Sequence, residues 1–389
     1  MPSDARTAPI RRTAGPAAAV LTVLALAATA CGPEDDTSPK AAPPASATAS
    51  PSSKAGLSLP KSLKDLNLQD LKNWSLSDWS KWADAHGFKN DLVKGFWDLT
   101  RMEGAKGMDP QEAGIQSTTT APENDPQPSV ITAKPQQHPY SASTAVLGKI
   151  FMTVDADTGA VCSGTVVSDP AHPGRSNLVW TAAHCLHEGK GGDWFKKISF
   201  VPSFNRAGAA SGGKRATEAQ LAPYGSWAAD YAVVSPQWVE EGGHKGGPAS
   251  QYDFGVIRVH SESGDGRSLE ETVGSSVPVW FNAPRDQITS AFAYGYPQAA
   301  PFDGRELEHC DSTVKPARLS FDASRPSMYN IGCTMTGGSS GGGWFVNRGG
   351  KPALISNNSI GPRPAAWMAG PALGAQAKQM FDYISQKKD

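Results

Sequence analysis

Residues Gly337-Gly338-Ser339-Ser340-Gly341-Gly342-Gly343, followed by Trp344-Phe345-Val346, carry the decision about this chain. Five glycines enclose two serines, and an apolar run follows. Glycine lacks a Cβ, so it reaches φ > 0 and lets other backbone approach closely. A serine held in such a turn can expose its hydroxyl while nearby N–H groups converge on one point. That point can hold the oxyanion of an acyl-transfer transition state. Glycine/serine runs are also common flexible loops, so the stretch alone decides nothing. A serine hydroxyl is a poor nucleophile at neutral pH and needs a base within reach, which moves the question upstream.

Two upstream stretches offer partners. Thr181-Ala182-Ala183-His184-Cys185 follows the apolar run Leu178-Val179-Trp180, and Asp253 stands at the head of the alternating run Phe254 to Val259. The order His, Asp, Ser differs from the orders of subtilisins and α/β-hydrolases. Cys162-Ser163-Gly164-Thr165-Val166-Val167 and Tyr294-Gly295-Tyr296-Pro297 complete a set of five stretches. Together they resemble the trypsin-like (chymotrypsin-fold) serine peptidases, most closely the secreted bacterial branch that includes glutamyl endopeptidases. The resemblance covers roughly residues 143–389.

The resemblance implies Ser340 as nucleophile, His184 as general base and then acid, and Asp253 as the group that orients the imidazole. Matching Gly338 to Gly342 onto the family's Gly-x-Ser-Gly-Gly run selects Ser340 over Ser339. Phe254-Gly255-Val256-Ile257 favours Asp253 over Asp230, which also heads a strand-like run. The N–H groups of Gly338 and Ser340 would form the oxyanion hole. A Cys162–Cys185 disulfide would clamp the histidine loop, leaving Cys310 and Cys333 as the second pair. Two departures stand out. Ser339 replaces the Asp of animal trypsins that pairs with a newly cut N-terminus, and Gly343 stands where the family usually has Pro. The primary pocket would be framed by Thr334, Ser356, Asn357 and Asn358. Trypsin-like cutting needs a carboxylate at the pocket base, because a buried cation must be paired. Thr334 offers only a hydroxyl, and no histidine lies between Ile355 and Ser359 for glutamyl specificity, so an uncharged side chain is expected at the cut bond. Zinc on His184, Cys185 and His187 lacks any CxxC or HExxH spacing. No metal and no cofactor are expected.

The 389 residues exceed what one compact domain needs, and a net charge of −1 points to no nucleic-acid partner. Forty glycines and 31 prolines favour turns, linkers and short strands. Arg6, Arg11 and Arg12 precede an apolar stretch of 14 residues, Ala17 to Ala30, too short for a convincing membrane span. Ala28-Thr29-Ala30-Cys31 resembles a bacterial lipobox, which implies lipidation of Cys31; ordinary signal-peptidase cleavage nearby is the alternative. Export sets an oxidising context in which the other four cysteines pair. The chain would act as a lipoprotein at the cell surface, or outside the cell after cleavage in its linkers. Its only membrane contact would be that lipid.

The expected order is a signal peptide over 1–30, a disordered tether over 31–60 and a small helical module over 61–104. A linker over 105–142 and the peptidase domain over 143–389 follow. In the module, Ser75 and Asp78 read as a capping box for a helix that buries Trp79, Trp82 and Ala83 and ends at Gly87. Asn90 reads as the cap of a second helix through Val93, Phe96 and Trp97 to Gly104. The module reads as a pro-segment or spacer. From Ser143 onward, short strands separated by turn residues suggest an all-β barrel or sandwich. The family implies two Greek-key six-stranded β-barrels and a C-terminal helix, expected over Lys378 to Ile384. The expected function is a secreted or surface-anchored serine endopeptidase acting on proteins or peptides as a monomer. A catalytically silent binding protein of the same fold and a structural surface protein are the competing readings.

Overall fold

The computed structural model describes residues 71, 73–90, 93–108, 111–112, 124–155 and 158–387. Cys31, the signal stretch and the tether lie outside these residues. Among them no helix is long and apolar enough to cross a membrane.

Helix α1 (Leu76–Ala85) begins with the capping box expected of Ser75 and Asp78, and it buries Trp79 and Trp82. The second helix differs from the expectation. Gly95 adopts φ +68°, which interrupts the turn, and α2 spans only Leu99–Gly104 with Asp98 as its cap. Asn90 caps nothing. Its amide ties the module to the domain instead, donating to the carbonyls of Ile198 (3.0 Å) and Ala229 (2.8 Å) and accepting from Ile198 N (2.9 Å).

Short strands β1 (Lys106–Gly107), β2 (Gln111–Glu112) and β3 (Lys134–Pro135) come next. Then β4 (Leu147–Thr153), β5 (Gly159–Val167), β6 (Leu178–Thr181), β7 (Lys196–Pro202), β8 (Trp227–Val234) and β9 (Gly255–Ser261) form one sheet. Its order is β5-β4-β7-β8-β9-β6, and β6 returns to pair with β5, so these six strands close into a barrel. Apolar residues sharing one face of these strands fill its interior: Ile150, Val166, Val179, Phe200, Ala232 and Ile257 are all buried.

The second half departs from the expected second barrel. It contains β10 (Ala291–Gly295), β11 (Glu308–Ser312), β12 (Ala317–Leu319), β13 (Met328–Gly332), β14 (Gly343–Arg348), β15 (Lys351–Asn357), β16 (Ile360–Gly361) and β17 (Trp367–Gly370). They divide into two open five-stranded sheets, β15-β14-β10-β11-β3 and β12-β13-β17-β16-β2. Among the described residues no ladder joins the two sheets. One edge of each is taken by a two-residue strand from upstream, β3 and β2. The fold is therefore one closed barrel plus two open sheets. Cys310 and Cys333 form a disulfide between the sheets, within a core shared by Ala293, Ile331, Trp344 and Met368. Val277 to Phe281 makes only isolated bridges, at Val277 and Val279. The C-terminal helix spans Ala375–Gln386, and its Phe381 packs near Trp180 and Phe281.

Candidate active site

His184 sits in a single 3-10 turn, Ala183–Cys185, immediately after β6. The disulfide Cys162–Cys185 ties that turn to β5. Asp253 follows another 3-10 turn, Pro248–Tyr252, and heads β9, the neighbour of β6 in the barrel. The two side chains meet because those strands are paired. Asp253 is fully buried. Its Oδ1 accepts from His184 N (2.9 Å), and its Oδ2 faces His184 Nδ1 at 2.6 Å. An ionised carboxylate only accepts, so the proton of the neutral ring sits on Nδ1 and the lone pair on Nε2 is free to accept. Two further groups fix the aspartate: Ser359 Oγ donates to Oδ2 (2.6 Å), and Asn357 Nδ2 donates to the Asp253 carbonyl (3.0 Å).

The glycine-rich loop is held as tightly. Gly338 adopts φ +100°, and a Cβ there would meet Tyr296 O at 2.7 Å. At Gly341 a Cβ would lie 2.0 Å from Thr181 Oγ1. These two contacts explain why a run of glycines is needed: the loop is pressed against β6 and the end of β10. Ser163 joins the halves, taking Ser340 O on its N–H (2.7 Å) and donating its hydroxyl to Gly338 O (2.9 Å). Ser339 turns away from the site and donates to Thr336 O (2.8 Å). Ser340 Oγ and His184 Nε2 are both buried without a hydrogen-bond partner among the described residues. Gly338 N donates to Met108 O (2.9 Å).

Asp230 stands apart from this centre, paired with Arg258 on the outer barrel (2.9 Å). The residues expected to frame the pocket divide. Thr334 is half-buried, and its Oγ1 accepts from Ala133 N (2.9 Å). Ser356, Asn357 and Asn358 are buried struts. Ser356 Oγ donates to Pro371 O (2.8 Å). Asn357 Oδ1 accepts from Trp180 Nε1 (3.1 Å). Asn358 accepts from Trp344 Nε1 (2.6 Å) and donates to Tyr294 O and Ser339 O (2.8 Å each). With both ends of each amide spent, these two asparagines hold the framework behind the nucleophile loop. Cys162, His184 and Cys185 lie close enough together for a metal, but both sulfurs are in a disulfide and offer no thiolate. Burial pushes the neighbouring His187 down to about 4, so its ring is a neutral acceptor for Gly189 N (3.0 Å). Ser359, Ser163 and the segment around Met108 were not legible as site residues. Only the position of Ser359, right after the asparagines, hinted at it.

No protein-family model matches the chain, and no curated protein does. Among solved structures, a thermostable serine protease, AL20, from an extremophilic microorganism is 31% identical, with a TM-score of 0.50. The match covers 64% of this chain and all of that protease. The chain belongs to the chymotrypsin-fold serine proteases. Protease Anisep from Arthrobacter nicotinovorans is 30% identical over 64% of this chain and 98% of its own, at a TM-score of 0.49. A Glu endopeptidase solved with MPD is 16% identical over 67% of this chain and 99% of its own, at 0.47. The chain is accordingly a serine peptidase acting on proteins or peptides, and the buried His184–Asp253 pair is the kind of dyad such enzymes use.

Proposed function

We propose that this serine peptidase is an endopeptidase in which Ser340, His184 and Asp253 form the triad. Ser340 Oγ attacks the substrate carbonyl while His184 Nε2 takes its proton. The resulting acyl-enzyme is hydrolysed with His184 as base for water. Asp253 holds the ring in the tautomer that leaves Nε2 as acceptor. The Gly338 and Ser340 N–H groups receive the oxyanion. Losing one such donor typically slows a reaction on the order of 10²–10³-fold. The observation that carries this reading is the fully buried carboxylate accepting both the backbone and the ring N–H of His184. A serine-directed phosphonate tests it: Ser340→Ala should keep its melting behaviour and lose both labelling and proteolysis. Labelling that persists would put the nucleophile elsewhere.

The finer assignments are proposals of the same kind. An uncharged residue precedes the cut bond, supported by the absence of any acid or histidine at Thr334 or between Ile355 and Ser359. A peptide library dominated by cuts after Lys, Arg or Glu would overturn that. The chain is exported and held at the cell surface as a monomer by lipid on Cys31, or released by cleavage in its linkers. Mass spectrometry of the mature N-terminus decides the anchoring: a protein with no lipid at Cys31 sinks it.

A further inference from the structure

Residues Ala105 to Met108 lie against the candidate site. Ala105 is buried, and its carbonyl accepts from Gln298 Nε2. Lys106 and Gly107 pair in parallel with Ala160 and Val161 of β5, and Met108 N donates to Val161 O (2.9 Å). Met108 O then takes the Gly338 N–H (2.9 Å), the donor assigned above to the oxyanion. Gln111 and Glu112 pair in parallel with Ile360 and Gly361 of β16, directly after Ser359. Adding a strand to exposed sheet edges is how extended peptides are bound: main-chain hydrogen bonds give affinity. Here the same chain supplies the peptide, and it occupies the edge of β5 and the oxyanion donor at once.

The fit at Gly107 is close. A Cβ there would lie 2.4 Å from Gly337 O and 2.9 Å from Gly338 N, both backbone atoms of the nucleophile loop. Behind the segment, the helical module anchors it to the barrel. Trp97 Nε1 donates to Lys197 O (2.6 Å), Asn90 bridges Ile198 and Ala229, and Trp79 stacks on Tyr383 of the C-terminal helix. Under the segment, Ser340 is 1% and His184 4% exposed. Their reacting atoms have no hydrogen bond to each other, so the proton transfer that activates the serine is not set up in this state.

We propose that residues 105–108 are an inhibitory strap that holds the chain latent, with the module up to Gly104 as its anchor, and that activity requires the strap to leave the oxyanion donor. This rests on the serine-peptidase reading above. It assigns the Trp-rich module a purpose, and it gives the enzyme a switch independent of the Asp that Ser339 replaces.

The test uses the full chain, Gly107→Val, Ser340→Ala and a fluorescent phosphonate. The wild-type chain should label slowly, Gly107→Val at least ten-fold faster, and Ser340→Ala not at all. Equal rates in wild type and Gly107→Val, both dependent on Ser340, overturn the strap and leave the peptidase reading intact. No labelling at Ser340 in either chain removes the peptidase reading and the strap with it. Should Gly107→Val not fold, amide exchange on the wild type decides. Phosphonylation puts an oxygen where Met108 O sits, so exchange at Gly107 and Met108 should rise at least ten-fold in the labelled protein. Unchanged protection there refutes displacement. A cut at the Met108–Asp109 bond during the experiment would make the segment a substrate and also refute it.

Discussion

Replacing Ser359 with alanine probes how much of the site depends on its buried carboxylate. Asp253 accepts three hydrogen bonds through its carboxylate: His184 N at 2.9 Å, His184 Nδ1 at 2.6 Å and Ser359 Oγ at 2.6 Å. Ser359→Ala removes one of the three from a fully buried anion. A hydrogen bond to a charged group contributes about 1.5–3 kcal/mol. A triad aspartate does not take up a proton during the reaction, so its hydrogen bonds serve resting enzyme and transition state alike and most of that loss appears as stability. At roughly 2–4 °C per kcal/mol for a domain of this size, melting should fall by roughly 3–12 °C. The remainder acts through a less firmly held imidazole. A remainder of about a third, roughly 0.5–1 kcal/mol, corresponds to a fall of about two- to five-fold in the maximal rate of Ser340 phosphonylation, and about that is expected. The half-saturating phosphonate concentration should not move, because the lost hydroxyl faces Asp253. A variant that melts and reacts like the wild type would refute the reasoning, since Asp253 would then be held without Ser359.

Three further outcomes follow from buried groups and cross-links. Lys149, wholly buried with Nζ on Gln298 Oε1 and Gly304 O (3.0 Å each), is pushed down to about 7 by burial. The unfolded chain holds that proton up to about 10.4, so Lys149 makes stability rise with pH from about 7 towards 10; chemical denaturation at pH 7 and 9, with Lys149→Met as the variant that flattens the difference, checks it. Glu308 is raised to about 7, first by burial and then by Glu306 and Asp303. It keeps a proton in the fold that the unfolded chain has lost above about 4.3, so its contribution to stability declines from there to pH 7, and Glu308→Gln should remove that decline in the same assay. Opening Cys162–Cys185 by a double alanine substitution should cost roughly 3 kcal/mol by the chain-entropy argument, with the loss of activity exceeding the loss of fold because the bond anchors the turn that carries His184.

What could be read from the sequence and what could not divide along the distance between interacting residues. The pairing of His184 with Asp253 was legible because each sits in a local pattern with its own geometry: a histidine after a buried strand and an acid heading the next strand but two; the proposed nucleophile is likewise a serine among glycines that Thr181 and Tyr296 crowd. The capping box at Ser75 and Asp78 is likewise confined to four consecutive residues. The errors sit where a residue's partner lies far along the chain. Asn90 has a capping residue's chemistry, yet it spends its amide on Ile198 and Ala229. Asn357 and Asn358 look like pocket polar groups until Trp180 and Trp344 are found on their oxygens. The second half stays as two open sheets, each with one edge taken by Gln111–Glu112 or Lys134–Pro135, and a two-residue strand has no periodicity to announce it. The strap is the extreme case. Lys106-Gly107-Met108 is read as linker in isolation, and only the approach of Gly337 and Gly338 gives its glycine a reason. Backbone hydrogen bonds made by short, irregular segments leave almost no trace in side-chain pattern, because any residue can supply the N–H and C=O. In this chain the parts that perform the chemistry are written in side chains, and the part that withholds it is written in backbone.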